Sequence, residues 1–204
     1  MSIFRYTYKI TEMTKRKYEL RKRALDKQRT HERIVAATVA LHQEIGPKET
    51  TISAVAERAG VQRLTVYRHF PTERDLLEAC SSRFIERHPP PDPATIKAFG
   101  PKKRTRSVLR AFYEYYEETA DMWTSVYRDR NQMASVAEVM EGFESHIAAV
   151  ESDLRAAWAP RRSRRLRASI SHALHFYTWQ SLDTQGLDAR EMAELVTTWV
   201  ASSA

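Results

Sequence analysis

A chain of 204 residues is long enough to bury the core of one large or two small domains. It has no apolar run of membrane-span length, its first residues lack the apolar stretch of a secretory signal, and a lone cysteine, Cys80, excludes an internal disulfide. These features predict a cytoplasmic protein with no membrane partner. The net charge of +7 is lopsided: residues 1–80 hold 16 Lys and Arg against 10 Asp and Glu, while residues 81–204 hold 17 against 16. Cations gathered at one end suit a polyanion, because they displace the counterions condensed on phosphates.

Residues 1–25 read as a basic arm. Over the first 30 residues Arg5, Lys9, Lys15, Arg16, Lys17, Arg21, Lys22, Arg23, Lys27 and Arg29 stand against Glu12, Glu19 and Asp26. No Gly or Pro occurs before Gly46, so a long helix can start near Thr14, although its first half has little apolar stripe to hold it. Such an arm can follow a DNA backbone or enter a minor groove, or it can be a solvated extension; Met13 offers an alternative start. From Ile34 onward Ile34, Ala37, Leu41 and Ile45 share one helix face, and Gly46-Pro47 ends it.

Residues 50–71, TTISAVAERAGVQRLTVYRHFP, read as two short helices around a tight turn. Thr51 can cap the first, which carries Ile52, Val55 and Ala56 as its stripe, and Gly60 supplies the positive φ of the turn. The second runs from about residue 63 to 69 with Leu64 and Val66 facing inward, Phe70 closing the unit and Pro71 stopping it. Gln62, Arg63, Thr65, Tyr67, Arg68 and His69 on one short helix are more polar surface than a buried hairpin needs. The pattern is a helix-turn-helix, whose second helix enters the major groove. The expected DNA-binding domain spans residues 26–88, ending in a connecting helix capped by Thr72 that carries Asp75, Leu76, Leu77, Cys80 and Phe84.

Pro89, Pro90, Pro91 and Pro93 mark a linker over residues 89–102. Residues 103–204 again read as helices, at about 103–120, 122–130, 132–158 and 161–182, then a last one opened by Asp188 and Glu191 at capping-box spacing. Pro160 separates the third from the fourth. No period-two pattern occurs, so the expected fold class is all-α: an N-terminal three-helix helix-turn-helix domain that binds DNA, followed by a C-terminal helical domain.

The residues Arg33–Ile34, Ala36–Ala37, Leu41, Gly46, Thr50–Thr51–Ile52, Val55–Ala56, Ala59–Gly60–Val61, Thr65 to Pro71, and Leu76–Leu77 give this chain a specific resemblance to the TetR family of bacterial transcription regulators. The resemblance covers roughly residues 30–80; beyond them it is one of helical layout only. It implies a homodimer that reads a palindromic operator in double-stranded DNA, in most members a repressor released by a small molecule. Carried over by position, Gln62, Arg63 and Thr65 face bases, Tyr67 and His69 match a phosphate-contacting pair, and Thr51 meets the backbone. Arg63 is the strongest base reader, since a guanidinium bonds both acceptors of a guanine edge. Two departures stand out: Gln62 replaces the usual Ser or Thr, and Glu73 replaces a common lysine. Arg74, with Arg21 and Arg23 of the arm, can restore the missing phosphate contact.

The resemblance places an inducer pocket among the helices of residues 103–180. Candidate lining residues are Phe112, Tyr113, Tyr116, Trp123, Tyr127, Met140, Phe143, Phe176 and Trp179, with His146, His172 and His175 to orient a ligand. His172 and His175 lie three apart but lack further ligands in pattern, so no metal and no cofactor is expected. Trp158, Leu166, Ile170, Ala173, Met192, Leu195 and Trp199 are the candidate dimer interface. Arg161, Arg162, Arg164, Arg165 and Arg167 form a basic cluster read as surface charge. An enzyme is not expected: there is no phosphate-binding glycine loop and no nucleophile–base pattern. An architectural DNA binder would account for the arm but not for the aromatic second domain. A third reading keeps the family and makes the signal a protein partner.

Overall fold

Side-chain caps set where several helices begin. Thr51 accepts from the Ala54 N–H and Ser163 from the Leu166 N–H, while Thr72 with Asp75 and Asp188 with Glu191 form reciprocal capping boxes. The computed structural model describes the backbone of residues 3–158 and 163–204, and within them the side chains from residue 18 onward. Among the described residues there are helices and no strand: α1 (Ile3–Glu44), α2 (Ile52–Ala59), α3 (Arg63–His69), α4 (Glu73–Arg87), α5 (Pro101–Glu118), α6 (Ala120–Asp129), α7 (Ala134–Ala157), α8 (Arg164–Leu174), α9 (Phe176–Asp183) and α10 (Ala189–Ser202). The fold is all-α. Pro160, Arg161 and Arg162 lie outside the described residues.

Two apolar cores organise these helices. The first, the core of the head, gathers Ile34, Leu41, Val55, Ala56, Val66, Phe70, Leu76, Cys80 and Phe84 from α1 to α4. The second gathers Val108, Phe112, Tyr113, Tyr116, Phe143, Leu154, Ile170, Phe176, Met192 and Val196 from α5 to α10. They interlock: Leu77 of α4 packs into the second core and Met122 of α6 into the first. The proline-rich stretch between them is pinned. Arg104 donates to the Pro93 and Ile96 carbonyls and pairs with Asp153 at 2.8 Å, and Asp92 caps a 3₁₀ turn at Pro93–Thr95.

Three expectations are corrected. Ile45 does not continue the buried face of α1; the helix ends at Glu44 and Ile45 is exposed. Leu64 does not face inward with Val66: it is 68% exposed, whereas Val66 is fully buried. Residues two apart on a helix stand some 200° apart and cannot share a face, and it is Phe70, four beyond Val66, that shares its side. The helix expected over 161–182 is broken at His175, whose backbone is extended (ψ 135°).

The break has a physical cause. The last carbonyls of α8 are taken by side chains: His172 O accepts from the Thr178 hydroxyl at 2.5 Å, Ala173 O from the Tyr113 hydroxyl at 2.8 Å and Leu174 O from the Tyr116 hydroxyl at 2.9 Å. Tyr113 and Tyr116 are fully buried on α5, where a hydroxyl without an acceptor would be costly, so the end of α8 supplies acceptors. His175 then opens α9, its Nδ1 accepting from the Tyr177 N–H.

A second tie joins head and second core. Asp129, at the end of α6, accepts from the Lys48 backbone N–H at 3.0 Å and from Arg128 at 2.8 Å. Arg128 also donates to the Ile45 carbonyl at 2.8 Å, and the Lys48 ammonium reaches Gln132 at 2.6 Å. Gly46 passes beneath this clasp with φ +90°; a Cβ there would meet the Arg128 guanidinium and lie 2.6 Å from Asp129 Oδ2. Only glycine fits, for sterics and for φ alike.

Two sets of variants test these ties by urea unfolding. Tyr113→Phe and Tyr116→Phe each leave a buried carbonyl without its donor and should cost about 1–3 kcal/mol. Tyr115→Phe should cost close to nothing, because the buried Tyr115 hydroxyl has no hydrogen-bond partner to lose. Equal losses in all three would show that ring packing, not the hydroxyls, holds α8. Gly46→Ala should cost about 1–3 kcal/mol from backbone strain alone. Hydrogen bonds from Arg128, then from the Lys48 N–H, hold Asp129 below its ordinary value of 3.8. A depressed carboxylate stabilises the fold above the unfolded value and loses that contribution as pH falls through the folded one. The stability gap between wild type and Asp129→Asn should therefore be constant at neutral pH and close only below about 3.8.

Candidate nucleic-acid interface and internal cavity

The head presents α3 on a rigid base. After α2, Gly60 adopts a left-handed conformation (φ 63°), and the Gly60 and Val61 N–H groups close onto the Glu57 and Ala56 carbonyls at 3.0 and 2.9 Å. Arg33 of α1 donates to the Ala59 carbonyl and to the Gly60 carbonyl at 3.1 Å, tying the turn to the long helix. Arg58 pairs with Glu44 at 2.5 Å and fixes α2 from the other side. With Val66 and Phe70 buried against α1, the opposite face of α3 is left to solvent.

That outer face carries Gln62, Arg63, Leu64, Tyr67 and Arg68, all exposed, with Thr65 and His69 half-buried at its edges. Gln62 occupies the cap position without a side-chain cap bond, so its amide is not spent on the helix. Thr51 is exposed at the start of α2, its hydroxyl engaged by the Ala54 N–H. His69 lies 6.0 Å from the His31 ring, and burial, then the charges of His31, Lys27 and Arg68, push its pKa down. Arg21 and Arg23 are exposed on α1, upstream of the head. Arg74 is placed differently: its guanidinium bridges Glu78 and Glu138, each at 2.7 Å, so its charge is engaged within the chain. Leu64 belongs to this face although its apolar character predicts the opposite; its angular position relative to Val66 is the signal that places it outside.

A half-open cavity of about 400 Å³ lies where the two cores meet, with the exposed Ser82 at its mouth. Of the expected ligand residues, Trp123, Met140, Phe143 and His146 line it. Phe112, Tyr113, Tyr116, Phe176 and Trp179 are packed in the second core instead, and Tyr127 stacks on Phe176 at 5.1 Å. His172 and His175 are exposed where α8 gives way to α9. The head contributes wall residues that sequence reasoning misses: His42, Pro47, Leu77, Cys80 and Phe84. A signal exists, since Thr38 and His42 lie four apart and place polar groups on the buried side of α1.

His42 Nδ1 stands 3.4 Å from Cys80 Sγ in this wall. Burial lowers the His42 pKa to about 4 against the opposing pull of Asp129, and burial raises the Cys80 thiol to about 12. Both are therefore uncharged near neutral pH. His146 Nε2 lies 2.9 Å from the Pro91 carbonyl and holds the linker over the cavity's edge.

The expected dimer residues divide in two. Leu166, Ile170, Ala173 and Met192 are enclosed in this chain's own core. Trp158 is half-buried and donates to the Thr105 hydroxyl at 2.9 Å, while Leu195 and Trp199, four apart on α10, remain on the surface.

Residues 34–80 match the sequence model of the bacterial regulatory proteins, tetR family. No curated protein matches the chain by sequence. Among solved structures, a TetR-like transcriptional regulator from Rhodococcus sp. RHA1 superposes with a TM-score of 0.60 at 18% identity, over 84% of this chain and 93% of the other. A tetR-family regulator from Streptomyces coelicolor gives 0.56 at 19% identity, over 86% and 78%. The regulator FadR from Bacillus subtilis, solved with stearoyl-CoA, gives 0.55 at 17%, over 85% and 98%. At such identities the likeness is one of fold, extending from the head through the second core. The head thus matches the bacterial regulatory proteins of the tetR family by sequence, and the chain as a whole shares the fold of solved regulators of that kind.

Proposed function

We propose that the chain is a repressor that binds a palindromic operator as a homodimer and releases it when a small molecule occupies the cavity. The observation that carries this reading is the outer face of α3: a row of exposed polar and basic side chains on a helix whose other side is locked to α1. Arg63 and Gln62 stand at the start of the helix, where a major-groove helix meets base edges, with Thr65 beside them. Leu64 offers an apolar contact for a thymine methyl. Thr51, Tyr67 and His69 meet phosphates, and Arg21 and Arg23 of α1 follow the backbone beyond the operator core. Arg74, engaged by Glu78 and Glu138, is left out of this set.

Leu195 and Trp199 on α10, with the exposed side of α8, form the contact with a second copy, since isologous contacts bury such unpaired stripes. α6 lines the cavity with Met122, Trp123 and Val126 and ends in Asp129, which holds the Lys48 N–H ahead of α2, so an occupant that shifts α6 shifts the head. Release then requires only that the ligand favour one arrangement of head and core over the other. The stearoyl-CoA of the Bacillus regulator is not carried over: the cavity wall has no Lys or Arg to meet a coenzyme's phosphates.

Binding measurements on the full chain test this reading. A palindromic operator should bind at least ~10³-fold tighter than random duplex. A ratio near unity would point to an architectural protein instead. Arg63→Ala should cost about 1–3 kcal/mol and relax preference at one base position. Deleting residues 1–24 should flatten the salt dependence by roughly one unit of slope for each phosphate the arm no longer neutralises; an unchanged slope removes the arm from the interface.

A further inference from the structure

We propose that the cavity between the two cores is a site for an uncharged, mainly apolar molecule that presents a single polar group to His42. The inference deepens the release reading above by naming the class of ligand, and it stands on the chemistry of the wall.

The wall contains no Asp, Glu, Lys or Arg. Its apolar part comes from both sides of the junction: Leu77, Phe84 and Ile85 from the head, and Met122, Val126, Val136, Met140 and Phe143 from α6 and α7. A carboxylate, phosphate or ammonium entering this space would shed water and find no opposite charge, a transfer that costs several kcal/mol. An uncharged molecule pays no such penalty and gains the apolar area it removes from water. The volume of about 400 Å³ lies toward the small end of ligand pockets.

One buried polar group on the wall, the His42 imidazole, lacks a full set of partners. Trp123 contributes ring surface to the wall, while its indole N–H is fully enclosed beside the Tyr115 hydroxyl. His42 is neutral at physiological pH and has only its Nδ1 engaged, by Cys80. A buried imidazole ordinarily engages both nitrogens, so one left open in a cavity wall marks a place for a polar group of a ligand. A carbonyl, ether or hydroxyl satisfies it without bringing in a charge.

Two fluorescent probes with the same aromatic skeleton make the test: neutral N-phenylnaphthylamine and its anionic relative anilinonaphthalenesulfonate, titrated into the full chain without DNA. The neutral probe should bind one per chain and at least ~10-fold tighter than the sulfonate, the factor equivalent to about 1.4 kcal/mol. Gly142 lines the cavity on α7 and a Cβ added there meets open space, so Gly142→Trp covers the mouth without a clash. It should weaken the neutral probe at least ~10-fold. Val139→Lys adds a cation to the half-buried part of the same wall and should bring the sulfonate up to the neutral probe's affinity. Equal binding of both probes to wild type, or binding indifferent to both substitutions, overturns the proposal. Neutral-probe binding that obeys the substitutions yet leaves operator affinity unchanged upholds the ligand class and defeats the release reading instead.

Discussion

Asp129 is, among the described residues, the one ionised side chain that is fully enclosed. An enclosed charge is tolerated only where it is paired and hydrogen-bonded, and Asp129 gathers its partners from both halves of the molecule: Arg128 beside it and the Lys48 N–H across the junction. Much else follows from that requirement. Gly46 must be glycine because the clasp closes over it, and Arg128 must reach the Ile45 carbonyl because α1 has just ended. The charge also acts on His42, pulling its pKa up against burial, so the joint and the cavity share one electrostatic environment. The seam between the cores is thus a bonded surface, with Met122 and Leu77 exchanged across it.

The second core depends on a different constraint, the buried hydroxyl. Tyr113 and Tyr116 bring large apolar rings into the centre of the bundle, each with a polar tip that must be satisfied there. Two carbonyls freed at the end of α8 meet that need, and the helix yields its continuity in exchange. The turn at His175 lets α9 lay Phe176 and Trp179 back against Tyr116, at ring separations of 5.5 and 6.1 Å. Aromatic richness in this domain is therefore mostly architecture. Of its Phe, Tyr and Trp side chains, Trp123 and Phe143, tilted against each other with centroids 4.1 Å apart, line the cavity.

Local rules make most of the head legible in the sequence. Thr51, Gly60 and Thr72 act within a few residues of themselves, and the caps and turn that they imply are present. Reading fails where a residue's role depends on partners distant in sequence. Nothing near His175 shows that tyrosines some 60 positions earlier take the carbonyls before it. Nothing near Arg74 shows that Glu138 will engage it. The expected cavity lies inside the C-terminal helices, yet His42, Leu77 and Cys80 enter its wall from the head, because α4 and α1 lie against α6 and α7. Leu64 is a separate case: its exposure follows from helical geometry alone, and apolar character is a weaker guide there than angular position.

The exchange of side chains across the seam bears on how such regulators can be recombined. The proline-rich stretch at residues 89–93 offers a place to cut when joining the second core to a different head. A transplant made there would leave Met122 facing a foreign head and would set Arg128 and Asp129 against a loop that need not carry glycine at position 46. A working chimera of this chain would have to treat residues 45–48 and 128–132 as one matched part, inherited together although they are some 80 positions apart.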